Sequence, residues 1–145
     1  MTKLNRFSVL FLVSLGIQVV ALVALATASS LLTKEAIGSM GLPWGNVLTW
    51  LLFTLFPVNF LIIRRQSNVH PVPRKVYYSF VYAGIVFGFL WLFVSYFLTG
   101  NWSATFHGED HLSAIWQYYT YTTPLLPFIG YFLMRFLMVF FKNTR

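Results

Sequence analysis

The sequence predicts an all-α integral membrane protein of four transmembrane helices, and three observations carry that prediction. Charged residues are 9% of the 145 and apolar ones 58%, where a soluble domain is about a quarter charged. Four long apolar stretches are separated by short connections. The basic residues fall almost entirely on alternate connections. Ten Lys and Arg with three acids cannot clothe a soluble surface of this size. Disorder is excluded by the same composition, because a chain this apolar buries itself.

The stretches are 7–32, 43–63, 76–99 and a less regular one between 114 and 141. Each of the first three is long enough to cross roughly 30 Å of hydrocarbon as a helix. Lipid offers the backbone no hydrogen-bond partner, so the spans are helical. The connections leave no room for a soluble domain, and the whole chain reads as one four-helix unit. Lys3 and Arg6 precede the first span; Arg64, Arg65, Arg74 and Lys75 join the second to the third. Arg135, Lys142 and Arg145 lie at the end of the fourth, leaving Lys34 alone on the other side. The positive-inside rule then predicts an N-in/C-in protein of the cytoplasmic membrane or its topological equivalent. Glu35, Glu109 and Asp110 fall outside. Ala26-Thr27-Ala28 resembles a signal-peptide cleavage site, but the preceding apolar run is too long, so the segment is read as a retained helix.

The fourth span is interrupted by Pro124 and Pro127. The preferred reading starts a shorter helix at Pro124 and leaves Trp116, Tyr118, Tyr119 and Tyr121 in the outer interface. The other has a kinked helix crossing from 114 to about 134, with 136–141 lying at the inner interface.

Within the spans, Gly84 and Gly88 form a GxxxG in the third, and Ser95 extends that stripe by a heptad. It is a packing face, for a helix of the same chain or of a partner. The first span carries a matching line of Ser14, Gln18, Ala21, Ala24 and Ala28. Gln18 near mid-bilayer is expected to hydrogen-bond to another helix, because an unpaired amide there is costly. In the second span Pro57 frees the Phe53 carbonyl, with Asn59 half a turn on.

No Asp, Glu or His occurs inside a span. Ion-coupled transport by this chain alone lacks its usual midplane charge, and His-ligated pigment lacks its ligand. Small four-span multidrug exporters share this size and topology, but they rest on a carboxylate in the first helix, where this chain has Gln18. The absence of cysteine excludes disulfide and thiolate chemistry.

Arg135 has no acid on its own side of the membrane, so a lipid phosphate, a backbone carbonyl or another subunit is expected to satisfy it. Arg64, Arg65, Arg74 and Lys75 are expected to meet anionic headgroups, from a Pro-rich loop stiffened towards extended geometry. Trp44 and Trp102 anchor the outer loops, and Trp116 the fourth span. His107 and His111, with Glu109 or Asp110, have metal-ligand spacing for a helix. Gly108 argues against that helix, and Asp110 as an N-cap is the simpler account. No metal, cofactor or catalytic residue is therefore assigned. The functional expectation is a non-catalytic accessory or assembly subunit that packs against partner membrane proteins, pigments or lipids. The alternative is a small homodimeric transporter or flippase for an amphipathic or lipid-linked substrate.

Overall fold

The computed structural model describes residues 6–37, 41–63, 70–99 and 110–141. Four long helices dominate them, α1 (Arg6–Thr27), α3 (Trp44–Ile63), α4 (Pro71–Thr99) and α5 (Asp110–Phe141). All four are long and apolar enough to cross a membrane. A single turn, α2 (Ser29–Leu32), follows α1, and a two-stranded antiparallel hairpin, β1 (Glu35–Ile37) with β2 (Leu42–Pro43), leads into α3. The hairpin was not expected from the sequence. Gly41 turns it, at a φ of 62° that side chains with a Cβ rarely adopt.

Three helix boundaries differ from the expected ones. The first span does not run unbroken to residue 32. Thr27 Oγ1 donates 2.7 Å to the Val23 carbonyl, the chain leaves helical geometry at Ala28, and α2 resumes one residue later. The third begins at Pro71 rather than 76. Its prolines, 71 and 73, sit in the first turn, where backbone N–H groups have no intrahelical acceptor to lose. His70 caps it, its carbonyl accepting from Arg74 N at 3.3 Å and its Nδ1 from Val72 N at 3.4 Å. Residues 71–75 are therefore helical, not the extended loop expected.

The largest correction concerns the fourth span. Pro124 is not its first residue, since α5 runs unbroken for 32 residues with Pro124 and Pro127 inside it. Each proline deprives the carbonyl four residues back of its N–H, at Thr120 and Thr123. Thr123, 1% exposed, turns its own hydroxyl onto the Tyr119 carbonyl at 2.8 Å. Pro127 is itself fully buried, so its ring fills space between helices that a clash would otherwise empty.

In space α4 lies between α3 and α5, α3 touches α5 along one edge, and α1 packs chiefly on α3. The core is thus a three-helix unit with a fourth helix laid on its side. Two buried clusters mark it. Leu42, Trp91 and Leu92 form one towards the hairpin, and Tyr77, Val81 and Met134 the other towards the opposite end.

Candidate functional site

The closest approaches in the molecule are made by glycines. On α4, Gly84 faces the rings of Pro57 and Pro127, which a Cβ would meet at 3.2 and 3.3 Å. One turn on, Gly88 lies against the Phe53 carbonyl of α3. That carbonyl is the one Pro57 leaves without its intrahelical donor. A backbone freed by proline and a helix without a Cβ thus face each other, so the polar oxygen is covered by close contact rather than by lipid. Gly130 of α5 makes a similar close approach to α4, where an added Cβ would meet Phe80 Cβ at 2.5 Å and the Tyr77 carbonyl oxygen at 3.2 Å. Gly130 was not singled out from the sequence, and Pro127 only as an interruption of the fourth span. The signal available was that Pro57, Gly84, Pro127 and Gly130 all interrupt otherwise bulky apolar runs.

Indole and phenol groups of α3, α4 and α5 donate to acceptors on neighbouring helices, whereas most Ser, Thr and Gln side chains bond within their own helix. Trp91 Nε1 donates to Thr120 Oγ1 at 3.0 Å, and Trp116 Nε1 to Ser95 Oγ at 3.0 Å. Trp50 Nε1 donates to the Phe89 carbonyl at 2.8 Å, and Tyr119 to the Phe87 carbonyl at 2.6 Å. Tyr77 donates to the Phe60 carbonyl at 2.9 Å, one of the last carbonyls of α3, which lack an intrahelical partner. Ser95, assigned to packing, is buried beneath α5 through its bond to Trp116.

The α1 line is only partly buried. Ser14, Gln18 and Ala21 are covered, while Ala24 and Ala28 are half-exposed. Gln18 does not bond across to another helix. Its Nε2 donates to the Ser14 carbonyl at 3.2 Å and to Ser14 Oγ at 3.0 Å. Residues four apart share a helix face, so the nearest acceptor was on α1 itself. Two buried oxygens have no partner among the described residues, Thr54 Oγ1 and Asn59 Oδ1. Asn59 is 6% exposed, and an unpaired amide oxygen at such burial costs on the order of 1–3 kcal/mol.

Contacts between α4 and α5 keep one antiparallel register throughout. Gly84 meets Pro127, Trp91 meets Thr120, Ser95 meets Trp116, and His70 stacks on Phe141 at 4.7 Å. Each residue climbed on one helix is descended on the other, which sets Arg135 level with Val76, beside Lys75. Arg74, Lys75 and Arg135 are all exposed. Trp44 opens α3 at the surface, and Trp116 is half-buried on α5. Arg64, Arg65, Trp102, His107 and Glu109 lie outside the described residues, as does the side chain of Asp110. His111 is exposed on the first turn of α5, and no group of three metal-ligating side chains occurs among the described residues.

The fold is that of a multi-pass membrane protein, with four long helices each apolar enough to cross a bilayer. No protein-family model matches the chain, and no curated protein or solved structure matches it.

Proposed function

We propose that this chain is a non-catalytic accessory or assembly subunit, N-in/C-in in a cytoplasmic-type membrane, that packs against partner membrane proteins or lipids. The observation that supports it is where the polar atoms of the spans go. Five indole and phenol groups are spent joining α3, α4 and α5 to one another, which makes a rigid three-helix unit rather than a polar passage. The outward faces are left large and apolar. On α5 the exposed residues Tyr118, Tyr121, Leu125, Phe132, Phe136 and Val139 recur at three, four and seven, the spacing with which one helix lies along another. Placing the hydrocarbon between Val76 and Tyr96 of α4, about 30 Å at 1.5 Å per residue, puts Trp116 at one border and Lys75 with Arg135 at the other. The remaining turns of α5 then lie among headgroups. Isolation from native membranes in mild detergent is expected to recover further membrane polypeptides in fixed ratio. Recovery only of single copies that keep their cellular function refutes this reading.

A second reading is favoured by one observation, the buried Asn59 oxygen of α3, which has no partner among the described residues. A homodimeric transporter or flippase for an amphipathic substrate would use such acceptors. Gln18→Leu separates the two, because a packing subunit tolerates it with a modest loss and a polar pathway loses transport.

A further inference from the structure

We propose that Arg74 of α4 and Arg135 of α5 together hold the phosphate of an anionic phospholipid against the end of α3. The two arginines are far apart in sequence, and only the helix register brings them together. Arg74 lies two residues beyond the level of Arg135, about 3 Å along the axis at 1.5 Å per residue, on packed helices whose axes run about 8–10 Å apart.

Their directions also agree. Arg74 stands one heptad before Val81, which is fully buried in the cluster that Phe60 and Leu61 of α3 pack against. Arg135 stands one heptad after Phe128, whose ring meets Phe56 and Phe60 of α3 at 5.6 and 5.3 Å. Both therefore sit on the α3 side of their helices. The pairs Pro57 with Gly84 and Phe53 with Gly88 set Ile63, the last helical residue of α3, level with Tyr78, one turn short of Arg74. Arg74 and Arg135 thus sit at the same end of the described helices, on the faces of α4 and α5 that turn towards α3. Lys75, although adjacent in sequence, is one heptad before the exposed Tyr82 and faces the other way.

Charge complementarity selects the occupant. The three acids of the chain are Glu35 in the hairpin, Glu109 and Asp110, and Glu35 and Asp110 belong to the opposite end of the helices. Neither arginine has an ion pair or side-chain hydrogen bond among the described residues. Two planar forks carried on adjacent helices, about 3 Å apart in level, suit the oxygens of a phosphodiester. Lipid rather than free phosphate is indicated by what flanks Arg135. Phe132 and Phe136, 67% and 61% exposed, offer aromatic surface to acyl chains running up the groove. The inference rests on the membrane placement proposed above, not on any protein partner.

The test is native mass spectrometry of the purified full chain, titrated with phosphatidylglycerol or phosphatidylcholine. Phosphatidylglycerol is expected to bind at least about tenfold more tightly. Arg74→Gln and Arg135→Gln are each expected to weaken it by about tenfold, the scale of one charge-assisted pair, and Lys75→Gln by about threefold or less. Arg135→Lys, which keeps charge and fold, is expected to fall between wild type and Arg135→Gln because the fork is lost. Equal losses in all three glutamine variants would mean diffuse surface charge and overturn the site. So would no preference for phosphatidylglycerol, or its displacement by excess inorganic phosphate. Vesicle flotation of each variant reports membrane embedding separately, so a failure of the placement is distinguishable from a failure of the site.

Discussion

Gly88→Ala isolates the contact on which the α3–α4 interface depends. A methyl group there would overlap the Phe53 carbonyl carbon and oxygen and approach the Thr54 nitrogen at 3.0 Å. All three are backbone atoms, so no rotamer change relieves the overlap, and α3 must withdraw from α4. Overpacking of this kind costs about 1–3 kcal/mol. Withdrawal also lengthens the Trp50–Phe89 bond, now 2.8 Å, and one interhelical bond in a membrane protein is worth about 0.6–1.7 kcal/mol. The sum is about 2–5 kcal/mol, against which the better helix propensity of alanine returns at most about 1 kcal/mol. The assay is reversible unfolding by SDS titration in mixed micelles, with Gly16→Ala as the control. Gly16 of α1 has nothing within 4 Å of its would-be Cβ, so that variant is expected to be neutral or slightly stabilised. Gly84→Ala, meeting proline carbons at 3.2–3.3 Å, is expected to lie between the two. If Gly88→Ala unfolds at the same SDS fraction as Gly16→Ala, the close approach does not hold the helices together and the reasoning fails.

Other outcomes follow from single bonds and single orphans. Trp91→Phe and Thr120→Val each remove one partner of a 3.0 Å bond, and a double-mutant cycle is expected to give a coupling of about 0.6–1.7 kcal/mol; a coupling near zero refutes the bond. Thr54→Val deletes a buried hydroxyl that has no partner among the described residues and is expected to be neutral or stabilising by about 1 kcal/mol. A loss in that variant would reveal an acceptor not seen at Thr54. Tyr77→Phe uncaps the Phe60 carbonyl at the end of α3, and faster hydrogen exchange in the last turn of α3 is the expected readout.

Much of the architecture was legible because the bilayer is an unforgiving solvent. Length and hydropathy picked out the four helices, since an apolar segment without internal hydrogen bonds has no alternative in lipid. Sequence and structure part at proline. In isolation Pro71 and Pro73 mark an extended loop and Pro124 the start of a helix, because each lacks the backbone N–H that a helix interior uses. Neighbouring helices changed the outcome at Pro127, which packs against Gly84. The hairpin 35–43 escaped notice because its strands are two and three residues long, too short for a period to be seen.

The sequence by itself determined that the chain lives in a membrane, which segments cross it and which ends carry its basic charge. Those properties are sums over local composition, and each residue contributes without reference to its distant neighbours. Only the tertiary structure decided that Gln18 bonds within its own helix, that Gly88 meets the carbonyl freed by Pro57, and that Arg74 and Arg135 come to the same end of adjacent helices. Each of these depends on helix register and rotation. They are fixed where bulky side chains interlock and small ones permit contact, over distances along the chain that no local pattern spans.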